Sequence, residues 1–253
     1  MSVSMISSRK PPRLAKVAGR QKTGIITLAI VVFLSLTSGC GPTEVAVKGE
    51  FPAPLMEKLP LTIGVYYGPD FSGHEFFDET TDREKSEWIV RTGDAQVSMW
   101  NTLLPGMFNR LVHVNARPEP AQPAAVDAVL VPHVAELQYT IPKQTNIKVY
   151  EIWMRYHFEL LSPTGEPIAE WTMPAYGKTP TAFLQSDQAA VNLAAVVALR
   201  DAGANFATSF NRIPPVHDWL LDKHIPLPGQ TRQNIAEQDL PENETGHNSA
   251  EAR

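Results

Sequence analysis

Between Tyr150 and Leu160 every second residue is apolar: Tyr150, Ile152, Met154, Tyr156, Phe158 and Leu160 share one parity, and Glu151, Arg155, His157 and Glu159 share the other. That period of two predicts a half-buried antiparallel strand over 148–161. Ser162-Pro163-Thr164-Gly165 supplies a turn, and Ile168 to Met173 reads as the hairpin partner, ended by Pro174. A second alternation, Leu61, Ile63, Val65 and Tyr67, predicts a strand over 61–67. A third strand spans 127–141 and is interrupted by Pro132, which belongs at an edge or a bulge. Short strands are expected at 88–91 and 112–114.

The period changes to three and four at Val97, Trp100, Leu104, Met107 or Phe108, and Leu111, predicting a helix from an Asp94 N-cap to Leu111, kinked or split at Pro105. A longer, alanine-rich helix begins at Ser186 or Asp187 and reaches about Phe210. Pro214 and Pro215 stop it, and a short helix over 216–221 follows. Antiparallel hairpins with two main helices on one face predict an α/β (α+β) two-layer sandwich whose mainly antiparallel sheet has about five strands.

The chain opens differently. Arg9, Lys10, Arg13, Lys16, Arg20 and Lys22, with no acidic residue among them, precede an apolar run from Ile25 to Leu36. Twelve residues give about 18 Å of helix against a hydrocarbon layer of about 30 Å, the length of a signal-peptide core rather than of a comfortable span. Small side chains follow at Thr37, Ser38 and Gly39, then Cys40, the only cysteine in the chain. By the residues alone, an uncut N-terminal anchor is the alternative.

Leu36-Thr37-Ser38-Gly39-Cys40 resembles the lipobox of bacterial lipoproteins. That family usually has leucine three residues before the cysteine, where this chain has Thr37, with Leu36 one place earlier. The resemblance implies cleavage between Gly39 and Cys40, diacylation of the Cys40 sulfur and acylation of the new amino group. Gly41 in place of aspartate implies transfer to the outer membrane rather than retention at the inner one. Two or more acyl chains make a stable anchor, each buried methylene contributing about 0.8 kcal/mol. LPLTIGVYYGPDF, YEIWMRYHFELLSPTGEPIAEW and the alanine-rich helix are similar to segments of uncharacterised small α/β lipoproteins of the proteobacterial envelope and, distantly, of auxiliary lipoproteins of ABC-type transporters. The expected organisation is a signal peptide over 1–39, a lipidated N-terminus and tether over 40–59, one α/β domain over 60–222 and a disordered polar tail over 223–253.

Charge narrows the partners. Without the six cationic residues of the leader, 16 Lys and Arg face 27 Asp and Glu, a net charge of about −11. Such a body suits neither nucleic acid nor anionic headgroups, so the acyl chains would do the anchoring. With Cys40 acylated, no thiol remains for disulfides, nucleophilic catalysis or zinc. The acidic stretch Asp70, Glu75, Asp78, Glu79, Asp82, Glu84 and Glu87 lacks the spacing of a calcium loop. No nucleophile elbow, zinc helix motif, phosphate-binding loop or dinucleotide fingerprint occurs. His74 near Asp70 is the one base-like candidate, and Glu151 and Glu159, roughly 27 Å apart along one strand, cannot act on one bond. The expectation is therefore a chain with no enzymatic activity, cofactor or metal. It would dock on or stabilise another envelope component, a protein by first choice, through aromatics stranded among polar residues: Trp153, Phe71, Phe76 and Phe77. The alternative is a lipid or glycolipid carrier with a groove between sheet and helices.

Overall fold

The computed structural model describes residues 42–77, 88–140, 149–180 and 186–227. The expected signal peptide over 1–39, Gly39 and Cys40, and the part of the expected tail beyond residue 227 lie outside the described residues. The elements run β1 (Thr43–Ala46), β2 (Leu59–Val65), α1 (Pro69–Ser72), β3 (Glu75–Phe77), β4 (Trp88–Arg91), α2 (Gly93–Met107), β5 (Phe108–His113), β6 (Ala128–Thr140), β7 (Val149–Leu161), β8 (Pro167–Pro180), α3 (Asp187–Ser209), a 3₁₀ turn (Phe210–Arg212) and α4 (Pro214–Asp222).

The main sheet has five strands in the order β5-β2-β6-β7-β8, and helices pack on one face. It is a two-layer α+β sandwich, as the periodicities predict. The sheet is mixed rather than mainly antiparallel: β2 lies between β5 and β6 and pairs with both in parallel, while β6, β7 and β8 form an antiparallel meander. Parallel pairing of β2 with β5 needs a crossover, and α2 is the helix that makes it.

Two elements end elsewhere than expected. Helix α2 stops at Met107, not Leu111, where the Phe108 N–H closes onto the Leu104 carbonyl and the backbone turns extended. Pro105, which donates no N–H, sits in that last turn, and residues 108–113 become an edge strand instead. Strand β8 runs through Pro174 to Pro180. Two residues on, and therefore of the same parity, the Tyr176 N–H points off the sheet edge to Asp201 Oδ2 at 3.0 Å. The N–H that Pro174 lacks lies on that outer side and would have made no ladder bond. Pro132 fits its expectation: pairing of β6 with β2 ends at Leu130, and the ladder with β7 shifts register between Val134 and Glu136.

The stretch expected as a free tether also contains structure. Strand β1 pairs in parallel with β4 in a second sheet of order β1-β4-β3, burying Val45 and Val47. Beyond it the Asn192 amide accepts from Lys48 N at 2.7 Å and donates to Lys48 O at 3.1 Å, and Arg200 donates to Glu50 O at 2.8 Å. Residues 43–50 are thus fastened to α3.

The core lies between the sheet and α2 and α3. Trp100 stands edge-on to Tyr156, Phe158 and Phe206, with ring centroids 5.9, 5.3 and 4.8 Å away. Helix α3, capped by Ser186 Oγ accepting from Ala189 N at 3.2 Å, turns Ala190, Ala194, Ala195, Ala198 and Ala202 inward. These small side chains let it lie close against β8.

Candidate functional site

Because the helices cover one face of the sheet, the other is defined by strand parity. On β7 the outward row is Glu151, Trp153, Arg155, His157 and Glu159. Part of this face is closed: Val129, Val131 and Leu161 pack under Tyr66, Val114, Ala124 and Val126, which carry the chain across the start of β6. The rest is open, and Trp153 is 51% exposed there.

Register places Trp153 between Gln138 of β6 and Tyr176 of β8, whose ring lies 4.6 Å away at 46°. Arg155 stands between Glu136 and Pro174 and is hydrogen-bonded to the Glu136 carboxylate, which also accepts from the Gln138 amide. Glu151 accepts from the Tyr176 hydroxyl at 2.6 Å, with Lys178 Nζ 3.9 Å from the same carboxylate. That hydrogen bond, assisted by desolvation and the Glu151 charge, pushes the Tyr176 phenol up to about 12. Glu136, Gln138, Trp153, Met154, Arg155 and Pro174 line a groove of about 340 Å³.

Further along β7, Glu159 accepts from both terminal nitrogens of Arg117 and lies 3.0 Å from His133 Nε2. The Arg117 hydrogen bonds, reinforced by the charges of Arg117 and His133 against some burial, hold this carboxyl below its usual range. A depressed folded-state pKa stabilises the fold above the unfolded value, and that stabilisation is lost as pH falls through the folded one. Arg117 is 43% exposed, so screening keeps the effect below about 1 kcal/mol. Glu159→Gln is therefore expected to lower the melting temperature slightly at pH 7 and not at pH 3. Calorimetry at the two values checks it, and an equal difference at both would remove the ion pair as the cause.

The other sequence candidates separate from Trp153. Phe71 is not a surface residue: the single turn α1 sends it inward, 1% exposed, to stack on Tyr67 at 5.6 Å. Phe76 is half-buried, edge-on to Tyr139 at 5.3 Å, and Phe77 is half-buried opposite Ile89. His74 bonds through Nδ1 to Thr92 Oγ1 at 2.7 Å rather than to Asp70, and its carbonyl accepts from Thr92 N and Gly93 N. Burial pulls the His74 pKa down, against a smaller opposing pull from Glu75. Through these hydrogen bonds His74 joins α1 to the start of α2. Among the described residues no three metal-ligating side chains converge. A second groove, of about 240 Å³, lies between α2, α3 and Phe51–Pro54 and is mostly apolar, with Arg200 among its lining residues.

Parity along β7 identifies Trp153 but not Tyr176, which lies beyond Pro174, the expected end of the hairpin partner. The register of β8 against β7 supplies that partner.

No family model matches the chain, and no curated protein matches it. Among solved structures it is similar to a Xanthomonas campestris protein of the DUF330 family, at 13% identity and a TM-score of 0.46 over 70% of this chain and 97% of that one. It is also similar to a minor lipoprotein from Acinetobacter baumannii, at 12% identity and a TM-score of 0.34 over 62% and 92%. Likeness at this level assigns no activity to the chain. Among the described residues no helix is long and apolar enough to cross a membrane.

Proposed function

We propose that this chain is a lipid-anchored, non-enzymatic periplasmic lipoprotein of the outer membrane that docks on or stabilises another component of the cell envelope. The observation that carries the docking role is Trp153: a large aromatic, half exposed on a strand whose other alternate residues are buried, backed by Tyr176 and fixed ion pairs. Exposed aromatic and arginine side chains on a rigid sheet are the makings of a binding patch. The anchoring role rests on the resemblance at Leu36–Cys40 and on the acyl-chain energetics above. A second reading, a lipid or glycolipid carrier, is favoured by the apolar groove at Phe51–Pro54, whose walls would take an acyl chain.

The two halves of the proposal are tested separately. Cys40→Ala is expected to move the chain from the membrane to the soluble fraction and to leave its N-terminus unacylated. Retention in the membrane would remove the lipid anchor. Cross-linking in intact cells is expected to give a higher-mass species that Trp153→Ala abolishes without lowering the melting temperature. A species that survives this change would move the docking site elsewhere.

A further inference from the structure

The open face around Trp153 has a chemistry narrower than that of a general contact patch. At its centre is an aromatic pair; immediately around it stand Glu136, Arg155, Glu151 and Lys178, with Gln138 directly across from Trp153. Cores of protein interfaces are depleted in Glu and Lys, and this patch places both beside its aromatic. Its two carboxylates are balanced by its two cations, so it presents no net charge to an anionic headgroup or a charged peptide. What it presents is a π face flanked by oriented hydrogen-bonding groups.

Those groups are held in advance. Glu136 is fixed by Arg155 and Gln138, and Glu151 by the Tyr176 hydroxyl. Beyond these bonds, among the described residues, each carboxylate has further acceptor lone pairs and the guanidinium further N–H groups on the same face as Trp153. The ligand complementary to this arrangement has a flat C–H face, weakly positive against the negative face of indole, and an edge of hydroxyls that both donate and accept. A pyranose ring has both. The groove of about 340 Å³ is at the small end of ligand sites and lies on an open sheet, where a chain can pass through without ending.

We infer that the Trp153 face binds a neutral polysaccharide, the glycan backbone of the cell wall, with Trp153 as the stacking platform and Glu136, Gln138 and Arg155 as hydroxyl partners. The inference rests on the docking function proposed above and names the component docked upon. A phosphorylated saccharide is disfavoured by the balanced charge of the face.

The test titrates the detergent-extracted, full mature chain with the β-1,4-linked tetramer of N-acetylglucosamine and follows saturation transfer to the sugar by NMR. Transfer to the ring protons is expected. Trp153→Ala is expected to weaken binding by about tenfold or more, while Trp153→Tyr, which keeps a platform, stays within about threefold of the parent. Unchanged melting temperatures in both variants show that the fold is intact. Sedimentation with purified cell-wall sacculi should fall in parallel. Absence of transfer, or equal binding by Trp153→Ala, overturns the inference. If the tetramer fails while Trp153→Ala still abolishes the cross-linked species, the glycan reading falls and docking stands; if Trp153→Ala changes neither readout, both fall.

Discussion

Trp100→Ala is expected to destabilise the fold by about 4 kcal/mol and to lower the melting temperature by roughly 10 °C, as measured by calorimetry. Trp100 is fully buried at the centre of the helical layer and joins three elements: its ring meets Tyr156 and Phe158 of β7 and Phe206 of α3 from its own place on α2. Removing the indole opens a cavity whose walls are other rings and cannot all move in, so both the transfer and the cavity costs are felt. Among the described residues the indole N–H has no acceptor, so no hydrogen bond to them is lost with it. Trp100→Phe is for that reason expected to cost far less than alanine, because a buried unpaired donor is itself destabilising. Similar losses for Phe and Ala would mean that a hydrogen bond of the indole N–H, rather than ring volume, carries the stability of the site.

Where an element is long enough to repeat its period, it was legible. Strand β7 shows six alternations, α3 shows a cap residue followed by an apolar stripe, and both lie within a residue or two of their expected ends. Short elements were not. Strand β1 and the residue after it offer only Val45 and Val47 as an alternating pair, between Pro42 and Gly49, and α1 is a single turn in which no period can appear. Phe71 went to the wrong side of the protein for that reason. Pro174 predicts a strand end because sequence does not reveal which strand is at the edge; the side of the ladder that a missing N–H faces depends on register. Likewise LTIGVYY predicts a strand but not its direction, which is set by the crossover through α2.

The candidate site was half legible for a related reason. Parity along β7 puts Trp153 opposite to Ile152 and Met154, so exposure follows from the alternation itself. Its neighbours across the sheet, Gln138 and Tyr176, come from strands paired through a bulge and past a proline, and no spacing in one chain segment encodes them. The ion pairs follow the same logic: Glu159 and Arg117 are separated by 42 residues, and only the course of 114–126 over the start of β6 brings them together.

Gly177→Ala, a change of one methyl group, is expected to cost about 3 kcal/mol or more. A Cβ at that position would stand 1.9 Å from the Ala194 carbonyl oxygen and 2.4 Å from Ala198 N, both backbone atoms of α3. A side chain can rotate out of the way and a helix backbone cannot, so α3 would have to lift by at least about 1 Å. That displacement stretches the Tyr176 to Asp201 bond and separates Val191, Leu199 and Phe206 from the sheet they pack upon, the overpacking penalty in its least avoidable form. The comparison that isolates the cause is Gly203→Ala on α3 itself. There the added methyl meets only the Met99 Sδ at 3.2 Å and Leu103 methyls at 3.8 Å, flexible groups that can yield. Replacing a helix-interior glycine by alanine also favours the helix by up to about 1 kcal/mol. Gly203→Ala is thus expected within about 1 kcal/mol of the parent, while Gly177→Ala loses roughly 6–12 °C in melting temperature. Two glycine-to-alanine changes with equal effects would show that the alanine stripe of α3 does not owe its composition to close approach against β8.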